Sequence, residues 1–109
     1  MKLIIAIVQD EDAQKLTSTL MNEGYSVTKL ATTGGFLRSG NTTFLIGVDE
    51  ERLDHAMELI EKVCKSRKQF ATAPSPVADK SGGYAPYPVE VTVGGATVFV
   101  VEVKDFRKI

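Results

Sequence analysis

The sequence predicts an α+β sandwich, with elements in the order β-α-β-β-α-β, over a single domain of 109 residues. Three observations predict it. Apolar, β-branched runs at residues 2–8, 25–32 and 41–48 have strand character. Two segments, after Asp10 and after Asp49, carry apolar residues at helical spacing. Two further β-branched runs close the chain around Gly94-Gly95.

"KLIIAIV", Lys2 to Val8, is a continuous apolar run and reads as a central strand buried on both faces. Asp10 is placed to cap the next helix, and Glu11 and Asp12 suit its positive end. Ala13, Leu16, Leu20 and Met21 form its apolar stripe, and Gly24 ends it. "YSVTKLAT", Tyr25 to Thr32, alternates and reads as the second strand. A short Gly-rich loop, 33–40, leads to the third strand, Asn41 to Val48. Asp49 caps a second helix with the stripe Leu53, Ala56, Met57, Ile60, Val63 and Cys64. Lys62, Lys65, Arg67 and Lys68 gather toward its negative end.

The stretch 67–88 holds all four prolines in a segment without periodicity, and reads as a long loop. The last two runs read as a hairpin, because both central positions of a two-residue turn need positive φ and both are glycine. The chain thus gains an extra C-terminal hairpin strand. Two βαβ halves of this length give a ferredoxin-like sandwich, one sheet with both helices on one face. The other sheet face is also apolar and nothing in the chain covers it, which points to an oligomer.

Composition excludes several classes. Hydrophobic residues make up 43% and charged residues 25%, as in soluble globular domains. The net charge of -1, with no block of like charge, argues against a nucleic-acid polymer or an anionic membrane as partner. One Cys leaves no internal disulfide and no Cys-based metal site. The apolar run of the N-terminus is too short for a signal peptide or a membrane span, so a cytoplasmic protein is expected.

Catalytic signals are weak. His55 is the lone histidine, on the exposed side of the second helix. Cys64 sits in an apolar stripe, where a small buried thiol is common. Helix capping accounts for Asp10, Glu11 and Asp12. There is no GxSxG, HExxH, Walker A or CxxC. No metal and no cofactor is expected, and the chain reads as a non-enzyme.

The segment "ATTGGFLRSGNTTFLIGVD", Ala31 to Asp49, carries more. Gly34, Gly35 and Gly40 let backbone approach a ligand closely. Phe36 can stack on a base, worth roughly 1–3 kcal/mol. The carboxamide of Asn41 can pair with the N6 and N7 edge of adenine. Thr28, Thr32, Thr33, Thr42 and Thr43 add hydroxyls, and Arg38 could meet a phosphate. Together they outline a nucleotide pocket; a plain glycine-rich connection is the other reading.

Three stretches, "MKLIIAIVQDED", "TKLATTGGFLRSGNTTFLIGV" and "YPVEVTVGGATVFVV", resemble the PII-like cyclic di-AMP receptors, the PstA or DarA family, over nearly the whole chain. The resemblance implies a PII-like homotrimer with sheets facing inward, and cyclic di-AMP bound in the clefts between subunits. It implies no enzymatic activity and no resident cofactor. It implies ligand contacts at Val27, Thr28, Gly35, Phe36, Leu37, Asn41, Gly47 and Phe99. Two positions depart from some relatives: Ser26 stands in place of a basic residue, and Lys108 in place of Gln. The expected mechanism is signalling, in which the bound nucleotide orders the loops and a downstream protein partner, unknown from sequence, reads them. Tyr84 and Tyr87 are candidates for that contact or for packing within the loop. Two other classes stay open: a small nucleotide-processing enzyme using Asp10, His55 or Arg38, and a structural or adaptor trimer.

Overall fold

The computed structural model describes residues 1–30, 40–78 and 84–109, and of 71–78 and 84–87 the backbone alone. The elements are β1 (Lys2–Gln9), α1 (Asp10–Asn22), β2 (Ser26–Leu30), β3 (Asn41–Val48), α2 (Glu50–Cys64), β4 (Arg67–Ala78), β5 (Tyr84–Val93) and β6 (Ala96–Glu102). Four strands form one antiparallel sheet in the order β2-β3-β1-β6. This is the strand order of a ferredoxin-like sandwich, with β6 in the fourth place.

The pleat divides the sheet. Ile4, Ala6 and Val8 of β1 point to the helices, as do Phe44, Ile46 and Val48 of β3. They meet Ala13, Leu16 and Leu20 of α1 and Ala56, Ile60, Val63 and Cys64 of α2 in one buried core. The alternate residues of β1, Leu3, Ile5 and Ile7, are half-exposed on the other side. The expectation that β1 is buried on both faces is therefore corrected. It is central in the sheet, but one face of it has no cover among the described residues.

Helix ends follow local chemistry. Gly24 ends α1 with φ +85, its N–H on the Met21 carbonyl, while the Tyr25 N–H reaches back to Leu20. The N-cap of α1 is Gln9, not Asp10, and makes no side-chain capping bond. Asp10 is instead the first helical residue and accepts a hydrogen bond from the Thr42 hydroxyl. Asp49 does occupy the N-cap of α2, again without a side-chain bond. Of the basic residues expected near the end of α2, Arg67 and Lys68 belong to β4.

Two expectations fail at the C-terminal half. The Pro-rich segment is not a loop throughout: β4 and β5 pair as a separate two-stranded antiparallel ribbon. Pro74 lies opposite Pro86. Two residues without N–H groups can face each other only in the pair class whose N–H groups point outward, so the ladder loses no bond. The second correction concerns Gly94-Gly95. Both have positive φ, +82 and +91, as a tight turn requires. Yet β5 and β6 do not pair; β5 stays with β4, and β6 joins β1. The Gly94 N–H is held by Gln9 Oε1 and the Gly95 N–H by the Cys64 carbonyl, so neither is left to close a hairpin. The added strand pair is thus inserted between α2 and the last sheet strand, not appended to the C-terminus.

Candidate functional site

The uncovered sheet face is built in rows by strand register. Ser26, Gly47, Leu3 and Val101 form one row, and Thr28, Leu45, Ile5 and Phe99 the next. Leu30, Thr43, Ile7 and Thr97 follow, and Asn41 beside Gln9 closes the far end. The face is therefore apolar at its centre and hydroxyl-bearing along β2. Phe99 and Val101 on the edge strand β6 are 53% and 42% exposed, a large apolar area for a small chain to leave in water.

At the Gly47 end lies a depression of about 390 Å³, lined by Met1, Leu3, Ser26, Thr28, Leu45, Gly47, Val103 and Phe106. Gly47 forms a bare part of its floor. A Cβ built there meets nothing closer than the Met1 side chain at 3.9 Å. Its backbone has no positive φ. Neither turn geometry nor crowding by the described residues requires glycine in the middle of this strand, where it is unfavourable.

The sequence-predicted residues fall into three groups. Thr28 and Gly47 come together at the depression. Asn41 and Phe99 share the same face but stand apart. Six residues of strand, about 20 Å, separate Asn41 from Gly47, and three strand spacings, about 14 Å, separate Phe99 from Thr28. Val27 is set apart from them: it pairs with Ile46 and packs against the core on the helix side. Its side chain cannot line a site that Thr28 lines. Gly35, Phe36 and Leu37, with Arg38, lie outside the described residues, as does the order of the Pro-rich tip.

Sequence reasoning missed Phe106, Val103 and Met1 as lining residues. Phe106 is 65% exposed and sits in a terminal stretch of charges, "VKDFRKI". A lone aromatic among charges after the last strand was the available signal. Lys2 and Glu102 pair across β1 and β6. Their hydrogen bond holds the Glu102 carboxyl below the usual range and raises the Lys2 ammonium.

Among the described residues, the catalytic candidates Asp10 and His55 do not assemble. The His55 ring stacks on Tyr25, centroids 6.1 Å apart, with Nε2 3.5 Å from Glu23 Oε2. Arg52 lies over the same Tyr25 ring at 4.0 Å. Asp10 is engaged by Thr42. Burial pushes the Cys64 thiol up to about 11, away from a nucleophile's range.

The model of a family described as cyclic-di-AMP receptor matches residues 1–109, the whole chain. A crystal structure of a functionally unknown protein from Pediococcus pentosaceus ATCC 25745 is also similar. It is 45% identical over 99% of this chain and 96% of that one, with a TM-score of 0.77.

Proposed function

This chain belongs to the cyclic-di-AMP receptor family, and from that premise we propose that it is a signalling receptor whose nucleotide binds against the uncovered face of the β2-β3-β1-β6 sheet. The family is one of receptors rather than enzymes. The observation that carries the location is the floor at Gly47: a glycine that none of the described residues requires, beside the Thr28 hydroxyl and an apolar wall. A flat purine needs such a floor, and a phosphate or ribose needs the hydroxyl.

The separation of the site residues favours a cleft between copies. A face whose ends are about 20 Å apart does not close around one adenine. Packing two copies brings the Asn41 end or the Phe99 edge of one face to the Gly47 end of another. A PII-like homotrimer, sheets inward, covers the exposed apolar rows and creates three such clefts. In this arrangement Asn41 reads an adenine edge, and Phe99 and Leu45 supply apolar contact. Gly35, Phe36 and Leu37 complete the base site, with Val27 contributing backbone alone. The bound nucleotide orders the adjoining loops, and a partner protein reads that surface. The free thiol of Cys64 fits a reducing compartment such as the cytoplasm.

Isothermal titration with cyclic di-AMP, and with cyclic di-GMP and ATP as controls, tests this reading. The expected result is saturable binding near one ligand per chain for cyclic di-AMP, and loss of most affinity in Asn41→Ala. Absence of heat with all three nucleotides sinks the receptor reading.

A further inference from the structure

Gln9 to Asp12, the four residues that carry β1 into α1, are gripped from two sides. On the side of the β3 start, Asn41 is the cross-strand partner of Gln9. The Asp10 N–H donates to the Gly40 carbonyl at 2.8 Å, and the Thr42 hydroxyl donates to Asp10 Oδ1 at 2.5 Å. On the side of the β4–β5 ribbon, Gln9 Oε1 accepts the Gly94 N–H at 2.7 Å. Within the first turn of the helix, the buried Asp12 carboxylate takes both Arg67 Nη groups, at 2.8 and 3.4 Å. Arg67 and Gly94 are the residues by which the chain enters and leaves the ribbon.

We propose that Gln9–Asp12 is a coupling joint, through which nucleotide held at the start of β3 sets whether the base of the β4–β5 ribbon is clamped to the body of the protein. The inference rests on the nucleotide reading above. Its two arms are separate: Asn41 to Gln9 to Gly94, and Thr42 to Asp10 to Asp12 to Arg67. Asp10 and Asp12 sit in the same first turn of α1, so the second arm is stiff. The two-state element is the ribbon base. β4 and β5 pair with each other and, among the described residues, join no other strand and contribute no side chain to the buried core, so the contacts that tie their base to the body are polar ones. Lys65 O accepts a further bond from Arg67, and Cys64 O one from Gly95, which ties the end of α2 into the same clamp. A ligand that fixes Asn41 and its neighbours stabilises the clamped state. By reciprocity, a clamped ribbon strengthens nucleotide binding by the same factor. Gln9, Asp12 and Arg67 are positioning residues in this scheme and touch no ligand.

The test uses the full chain, with titration calorimetry for binding and amide hydrogen exchange for the ribbon base. In the unmodified protein, cyclic di-AMP slows exchange at Gly94 and Gly95 at least about fivefold. In Gln9→Met and in Arg67→Gln the nucleotide still binds, about fivefold or more weaker, and the slowing is lost. Gln9→Met keeps the side-chain volume and removes the acceptor, so it decides the matter if Arg67→Gln fails to fold. Binding heat with unchanged exchange at these glycines overturns the joint and leaves the receptor reading standing. So does slowing that survives in Gln9→Met. No binding heat in the unmodified protein overturns both.

Discussion

Gly47 is where the account can be tested with a single atom group. Replacing it with Ala adds a methyl that meets nothing within 3.9 Å in its own chain and removes a flexible residue from a strand. The folded chain should gain roughly 0.5–1 kcal/mol by urea denaturation. Nucleotide affinity should fall, because the methyl overfills a floor built for a flat ligand, at roughly 1–3 kcal/mol. Opposite signs in one variant separate a binding glycine from a folding glycine. Cys64 makes a second prediction. Its thiol is raised from 9.0 to about 11, chiefly by burial, so below about pH 9 it is neutral folded or unfolded and leaves stability unaffected. As pH rises from about 9 through about 11, the unfolded chain loses this proton first and the folded state loses stability. At pH 8 it should react with iodoacetamide at least about a hundredfold more slowly than an unfolded thiol. Val27 and Thr28 show what the sequence held at this scale. They are adjacent, and strand alternation alone sends them to opposite faces, so the pair could not share a pocket through side chains. The pattern was legible, and it leaves Val27 only its backbone to offer at the face that Thr28 lines.

Elements were legible wherever local chemistry decided them. The stripe of α2, that of α1 except for Met21, which is 61% exposed, the Gly24 stop and the bounds of β3 all follow from periodicity and φ. What the sequence hid were partners chosen at a distance. The glycine pair at 94–95 has the φ values of a tight turn, but its donors are captured by Gln9 and Cys64, so the strands on either side part company. Nothing local signals that capture. Prolines likewise masked the ribbon, because their compatibility depends on which residues stand opposite. The turn gives a graded prediction. Gly94→Ala places a Cβ 2.5 Å from Arg67 Nη1 and 2.7 Å from the Lys65 carbonyl, whereas Gly95→Ala meets nothing within 4 Å. Both pay the penalty of positive φ, about 1–3 kcal/mol, but Gly94→Ala should be the more destabilising in urea by at least about 1 kcal/mol. Equal effects would mean that the clamp at Arg67 is not formed in solution.

For the whole molecule the uncovered face is decisive. Leu3, Ile5, Leu45, Phe99 and Val101 lie in two adjacent rows on a sheet of which, among the described residues, only the opposite face is packed. Sedimentation should find a species of about 35 kDa, three chains of 11.8 kDa each. Ile5→Lys, in the centre of the face, should convert it to monomer and abolish nucleotide binding with the helices intact by circular dichroism. The apolar face was readable from the unbroken apolar run of β1, which leaves apolar residues on both sides of the sheet; the geometry of the cleft was not, since in the proposed arrangement more than one chain makes it. The measurement that tests the central claim most directly is a crystal structure of the protein with cyclic di-AMP. The account predicts the nucleotide on the β2-β3-β1-β6 face, touching Thr28 and Gly47, with a second copy closing the cleft. A nucleotide seated on the helix side, for instance in the depression of about 420 Å³ between α2 and β6 lined by Met57, Ile60 and Val98, would contradict it.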